Sequence, residues 1–159
     1  MYVFENLNRS HDRQSFDCGE EALNDYFRRR ASQDIKRRLS TCVVLKEEAS
    51  NTSCGFYTLS AESARPDPEV DLKAVSAYGA VPVAVLGRLA VDVRYQKQGL
   101  SQQLIAHAFT VAERSPIPTV ALVVDPLNVD LVPFYEKLGF VSFTKEPLRL
   151  MLPFQKIRF

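Results

Sequence analysis

The sequence predicts an α+β fold, a mixed sheet covered by helices on both faces. Three observations carry this. Strand-like runs and helical stripes follow in the order β-α-β-β-β-α-β-α-β-β. The central apolar run, residues 83–93, passes through a polar turn with a single glycine into a helix in which Leu104, Ile105, Ala108 and Val111 recur at helical spacing. The later run, residues 119–124, is apolar and rich in β-branched residues, the pattern of a strand buried on both faces.

The elements read off in order. Residues 2–7 form a first strand. Asp17 and Glu20 have capping-box spacing and predict a helix start. Leu23, Phe27, Ala31 and Ile35 then recur every four residues, with Tyr26 alongside. A strict four-residue stripe drifts around a helix of about 3.6 residues per turn, so a break is expected near Ser32. Residues 40–47 and 55–61 flank a polar turn and predict a hairpin. Arg65-Pro66-Asp67-Pro68-Glu69 opens an irregular stretch reaching Pro82, long enough to line a substrate cleft. After residues 119–124, Asp125-Pro126-Leu127-Asn128 is a turn, and residues 129–138 are a helix stopped by Gly139. Residues 140–144 and 148–152 are the last strands, before a basic-aromatic tail. No repeat or linker divides the chain, so a single domain over 1–159 is expected.

Composition excludes several classes. Hydrophobic residues make up 46% and charged residues 25%, ordinary for a globular protein. No apolar run approaches a membrane span, and the N-terminus lacks the layout of a signal peptide, so no membrane association and a cytoplasmic location are expected. Three cysteines and two histidines, without paired spacing, predict neither a disulfide framework nor a metal site. Cys42 and Cys54 should pack as small apolar groups, and His107 should be solvated or at an edge. The net charge is +1, yet Arg28, Arg29, Arg30, Lys36, Arg37 and Arg38 crowd one helix against Asp34 alone. The run is either a solvated face or a nucleic-acid surface.

The strand–glycine turn–helix at 83–113 is suited to anions. The first N–H groups of a helix lack internal partners, its dipole is positive there, and Gly99 lets a phosphate approach the backbone. There is no Gly-Lys-Ser/Thr and no set of three spaced glycines, so neither a Walker loop nor a dinucleotide fingerprint is present.

Gln96-x-x-Gly99-x-Ser101 resembles the acyl-CoA pyrophosphate loop of the GNAT acetyltransferase superfamily, written Gln/Arg-x-x-Gly-x-Gly/Ala. Ser101 departs from that pattern, and Lys97 stands where close relatives often carry glycine. Phe134-Tyr135-x-x-x-Gly139-Phe140 resembles the second recurrent signature of the superfamily. The resemblance implies a mostly antiparallel sheet in which one parallel pair, 83–93 and 119–124, splays around acetyl-CoA. It implies that Leu89, Ala90, Val91, Gln96, Lys97, Gln98, Gly99, Leu100, Ser101 and Asn128 hold that co-substrate, Asn128 also being a good helix cap. It implies that the Tyr135 hydroxyl lies near the sulfur and protonates the departing thiolate, while backbone N–H groups near Leu89 to Val91 stabilise the oxyanion. Asp92 and Glu62 are candidate bases.

A narrower resemblance runs along most of the chain. Phe16-Asp17-Cys18-Gly19 with Leu23, Leu86-Gly87-Arg88-Leu89-Ala90-Val91-Asp92 and Val124-Asp125 together resemble the TacT-type toxins of type II toxin–antitoxin systems. This implies acetylation of the amino group of aminoacyl-tRNA, a ribbon-helix-helix antitoxin partner and a homodimer. The basic run and Arg88 are then the candidate tRNA contacts, although Arg88 could equally form an internal ion pair. The alternatives are an acetyltransferase for a small-molecule or protein amine, a non-catalytic acyl-CoA-binding regulatory module, and a nucleic-acid-binding protein without catalysis.

Overall fold

Seven strands lie in one sheet in the order β1-β2-β3-β4-β5-β7-β6. The computed structural model describes residues 1–72 and 78–154. They are β1 (Tyr2–Asn6), β2 (Thr41–Glu47), β3 (Ser53–Ala64), β4 (Val81–Val91), β5 (Ala121–Val124), β6 (Val141–Thr144) and β7 (Arg149–Pro153). The longer helices are α1 (Glu21–Asp25), which runs through a π-helical turn at Tyr26–Arg30 into α2 (Ala31–Lys36), then α3 (Leu100–Glu113) and α4 (Val132–Lys137). β4 and β5 are parallel; β1–β2, β2–β3, β5–β7 and β6–β7 are antiparallel. The predicted element order and the mixed sheet are both present. The expected cleft-lining role of 73–77, and the basic-aromatic tail at 155–159, lie outside the described residues. Among the described residues no helix is long and apolar enough to cross a membrane.

The chain divides into two compact units, Met1–Ser60 with Gly87–Ala108 and Ala61–Leu86 with Phe109–Phe159. In the first, the two faces of β3 explain the packing, because successive strand residues point to opposite sides. Phe56 stacks on Phe27 at 4.3 Å and meets Phe16 edge-on at 5.6 Å, which fixes the α1–α2 helix on one face. Gly55 points to the other face, where a Cβ would come within 3.1 Å of Leu104 of α3. Tyr57, on that same side, bonds His107 of α3 through its hydroxyl at 2.8 Å. His107 also stacks on Phe4 at 3.9 Å. His107 is half-buried, in keeping with the edge position expected, with its ring covered by Phe4 and Tyr57, and burial lowers its pKa.

Cys42 and Cys54 are fully buried among these side chains, as expected, and burial pushes the Cys42 thiol up to about 12, so it stays an inert apolar group. Three details differ from the sequence expectation. The break in the first helix is a π turn, which adds backbone per turn and brings the drifting stripe back into register, so that Phe27 and Ala31 are both fully buried. Asp17 does not cap that helix. Glu20 occupies the cap position without a side-chain bond, and Asp17 instead accepts from the Gly19 N–H and the Asn24 amide, both at 2.9 Å. On α3, Ala112 rather than Val111 continues the buried stripe, Val111 being 40% exposed.

In the second unit β5 is buried on both faces, as its composition predicted. Val83, Val85, Ala121, Val123 and Phe143 form the core of one face, and Leu122, Val124 and Leu150 are buried on the other. The expected helix at 129–138 divides into a 3₁₀ turn, Val129–Leu131, and α4, with Pro133 at its start. Gly139 ends it at φ +101°, with the Phe140 N–H returning to the Tyr135 carbonyl at 3.2 Å.

Phe27 is fully buried in the Phe16–Phe27–Phe56 cluster, so Phe27→Ala should leave a cavity and lower unfolding free energy by about 3–5 kcal/mol, read from urea denaturation.

Candidate active site

The buried end of β4 is tied to the turn that follows by one carboxylate. Asp92 has no exposed side-chain surface. One of its oxygens accepts from the Arg94 N–H and Nε, both at 2.9 Å, and the other from Arg94 Nη2 and the Asp17 N–H, both at 3.0 Å. Burial pushes its pKa up, but the bonds from Arg94 and Asp17 outweigh that and hold it below the ordinary value. The backbone joins in: the Asp92 N–H donates to Cys54 at 2.8 Å and the Val93 N–H to Asp17 at 2.8 Å. A 3₁₀ turn, Val93–Tyr95, then leads into the glycine loop.

Among the residues expected to hold the co-substrate, Leu89, Ala90 and Val91 form the last turn-ward part of β4, Ala90 and Val91 being buried. Gln96 is spent within the protein, its amide donating to the carbonyls of Val91 at 2.9 Å and Cys18 at 3.1 Å. Lys97 and Gly99 both take positive φ, +65° and +79°. Lys97 therefore occupies a conformation that favours glycine, which is the physical content of its departure from the family pattern. Gln98 accepts from the Tyr2 hydroxyl at 3.0 Å. Leu100 and Ser101 begin α3, the Leu100 side chain buried and Ser101 half-buried. A Cβ on Gly99 would meet nothing nearer than Gln102 at 4.0 Å, so the face of this loop is open. An open loop with glycine geometry at the positive end of a fourteen-residue helix suits a pyrophosphate.

In the second unit, Asn128 is exposed and its side chain accepts from the Asp130 N–H at 2.9 Å, the cap that its residue type suggested. Tyr135 follows on α4, half-buried, with its ring 5.4 Å from Phe140 and 5.2 Å from Phe134. Among the described residues nothing hydrogen-bonds its hydroxyl. Burial raises its pKa above the ordinary tyrosine value, so the phenol keeps its proton across neutral pH. Phe140 is buried as core, as expected.

Arg149 was not legible as a site residue. Its guanidinium grips Glu62 with two bonds, 3.0 and 2.9 Å, and Asp125 with two more, 2.6 and 3.2 Å. Asp125 follows immediately after the last paired residues of β4 and β5, Leu86 and Val124. The only sequence hint was a lone basic residue within an apolar last strand. Glu62, a candidate base, spends both oxygens on this clamp.

The basic run separates once folded. Arg28 donates to the carbonyls of Arg13, at 3.3 Å, and Phe16, and is an internal tie. Arg29 and Arg30 are exposed and share Asp25 at 3.2 and 3.9 Å. Lys36, Arg37 and Arg38 are exposed at the end of α2. Arg88 is exposed on β4, with its guanidinium 3.8 Å above the Tyr26 ring, and among the described residues it forms no ion pair.

An open glycine loop at a helix start and a protonated phenol are each chemistry that an acyl-CoA N-acetyltransferase uses. The chain belongs to the acetyltransferase (GNAT) family, whose model matches residues 4–140. Within that family it is similar to a tRNA-acetylating toxin of Mycobacterium tuberculosis, 32% identical over 87% of this chain and 83% of that protein. It is 27% identical to a probable toxin TacT of Sinorhizobium fredii, over 93% of this chain and 88% of that one. Among solved structures it resembles AtaT complexed with acetyl-methionyl-tRNAfMet, with a TM-score of 0.85, 29% identity, and 96% and 95% of the two chains covered. It also resembles a mutant AtaT toxin bound to the C-terminus of the antitoxin AtaR and acetyl-CoA, with a TM-score of 0.77, 27% identity, and 96% and 93% covered.

Two outcomes follow from this geometry. Gly99→Ala places a Cβ in open space but at a left-handed φ, so the protein should fold with a loss of about 1 kcal/mol and bind acetyl-CoA more weakly by calorimetry. Asp92→Ala should destabilise by about 1–3 kcal/mol, reduced from the fully buried case because the Arg94 side chain is half in water. Since the folded pKa of Asp92 is depressed, this contribution is present above the unfolded carboxylate pKa and fades as pH falls through the folded one. Urea melts at pH 7 and pH 3 should show a large wild-type advantage at the first and a smaller one at the second.

Proposed function

We propose that this protein is an acetyl-CoA-dependent N-acetyltransferase of the toxin type, which acetylates the α-amino group of aminoacyl-tRNA and so blocks translation. The observation that carries the reading is the likeness, over nearly the whole of both chains, to a toxin complexed with acetylated aminoacyl-tRNA. The exposed cations Lys36, Arg37 and Arg38, with Arg29 and Arg30 sharing one carboxylate, support it, because an RNA backbone calls for a surplus of Lys and Arg. The matched region, 4–140, draws on both units, which supports a single acetyltransferase domain. A ribbon-helix-helix antitoxin is the expected protein partner, by likeness to the toxin bound to AtaR. A homodimer is the expected assembly, and charged tRNA as substrate supports a cytoplasmic location.

Bound acetyl-CoA supplies an acyl group activated as a thioester. The residues present fit such a ligand: the Gly99–Leu100–Ser101 backbone at the start of α3 offers N–H donors to its phosphates, and Leu89 to Val91 offer strand backbone to its acyl arm. Tyr135 keeps a proton on its hydroxyl for the departing sulfur, and its burial is what keeps that proton in place. Asp92 is buried and saturated, and Glu62 is clamped by Arg149, so neither serves as base. The amine's proton goes to water. Esterification withdraws electron density from the amino group of an aminoacyl ester, so a neutral fraction exists near pH 7.

The test is transfer of labelled acetyl from acetyl-CoA to charged and uncharged tRNA. Label is expected on charged tRNA only. Tyr135→Phe should lower kcat at least about tenfold with acetyl-CoA affinity unchanged. Because burial raises the Tyr135 pKa, any alkaline fall in the wild-type kcat profile should come at higher pH than an ordinary tyrosine would give. Consumption of acetyl-CoA with small amines but not with charged tRNA would replace the toxin reading by a general acetyltransferase.

A further inference from the structure

A surface arginine is usually a loose cation, and fixing one on binding forfeits side-chain entropy. Arg88 has already been fixed. Its neighbours Leu86 and Ala90 are buried, while Arg88 itself stands out of β4 into solvent. Its backbone N–H donates to Thr58 Oγ1 at 3.0 Å. Its guanidinium lies over the Tyr26 ring, with Cζ 3.8 Å from the centroid. That ring is only 4% exposed, and its hydroxyl donates to Asp34 at 2.8 Å, so it cannot turn. Asp34 is the single carboxylate within the basic run, and it is spent on the tyrosine rather than on a cation. Among the described residues no carboxylate pairs with Arg88. The result is a planar cation, held over an aromatic ring, unneutralised and exposed to solvent.

The charge is also continuous with the helix beneath it. Tyr26 opens the π turn that carries Arg28, Arg29 and Arg30, and two of those cations share one carboxylate, Asp25. Arg88 directly precedes Leu89 to Val91, the strand backbone read above as lying along the acyl arm. A phosphate at Arg88 therefore belongs to whatever brings the amine, since the phosphates of the co-substrate are assigned to the far end of the loop, at Gly99.

We propose that Arg88, oriented by Tyr26 and Asp34, grips a backbone phosphate of the acceptor nucleic acid next to its aminoacyl end. This rests on the reading of charged tRNA as the acceptor. Tyr26 and Asp34 are positioning residues: they touch Arg88, not the substrate. The planar fork matters because two parallel N–H bonds match a phosphate, whereas an ammonium offers only a point charge.

The experiment compares wild type with Arg88→Met, Arg88→Lys, Tyr26→Phe and Asp34→Asn in acetyl transfer to aminoacyl-tRNA over a salt series. It adds calorimetry with acetyl-CoA and transfer to an amino-acid ester that carries no phosphate. Arg88→Met should raise KM for aminoacyl-tRNA about tenfold and reduce the slope of log KM against log salt by roughly 0.7–0.9, one phosphate contact. Arg88→Lys should keep the slope but recover only part of the KM. Tyr26→Phe and Asp34→Asn should raise KM about two- to threefold at unchanged kcat, a split that a general loss of stability does not produce. Acetyl-CoA affinity and ester acetylation should be unchanged throughout. An unchanged KM and slope in Arg88→Met overturns the inference, as does a loss that appears in acetyl-CoA affinity, which would assign Arg88 to the co-substrate. If wild type labels no charged tRNA, the functional reading itself fails and this inference falls with it. If wild type labels charged tRNA and Arg88→Met behaves identically, only this inference falls.

Discussion

The Asp92 carboxylate is the constraint on which the first unit depends. A buried anion needs donors on both oxygens, and here they come from two separated stretches, Asp17 and Arg94. Satisfying that one group stops β4, starts the 3₁₀ turn and docks the loop ahead of α1, all at once. Gln96 repeats the logic with a neutral amide, bonding Val91 and Cys18. The glycine loop is therefore held at its root while its tip stays open, the arrangement that a backbone anion site requires. A rigid base with an exposed row of N–H groups loses little order when a ligand arrives.

The helix that carries the basic run shows how packing sorts like charges into different roles. A π turn keeps Phe27 and Ala31 facing Phe56, and the arginines within that turn then fall at different depths. Arg28 is turned inward to backbone carbonyls, whereas Arg29 and Arg30 remain in water. Tyr26, buried by the same turn, becomes the plate under Arg88. The aromatic cluster and the cationic surface are thus two consequences of one change in helical pitch.

In the second unit, side chains take over where the ladder stops. Pairing between β4 and β5 ends at Leu86 and Val124, and the next residue, Asp125, is gripped by Arg149 together with Glu62. Two carboxylates around one guanidinium leave a single negative charge, half exposed, at the start of the segment that carries Asn128 and Tyr135. Tyr135 itself is surrounded by Phe134 and Phe140 rather than by polar partners. For a proton donor this is the useful environment, because desolvation penalises the phenolate and nothing competes for the proton.

By itself the sequence determined the element order, the parallel strand buried on both faces, the glycine turn into α3 and the family signatures around Gly99 and Tyr135. These are local features: side-chain period, turn chemistry and short motifs are written in consecutive residues. It also set the number of cations on the first helix, but not their roles, since depth depends on pitch and on what lies opposite. The cap read at Asp17 and the stripe through Val111 were each a local pattern overruled in the folded chain. The Asp17 side chain was taken by the Gly19 N–H and the Asn24 amide, and the turn at Val111 by the packing that buries Ala112 instead. Tertiary structure alone decided that Arg149 would hold Glu62 and Asp125 and that Arg88 would lie on Tyr26. A charge has no periodicity, and its partner is whichever opposite or aromatic group the folded backbone brings within reach.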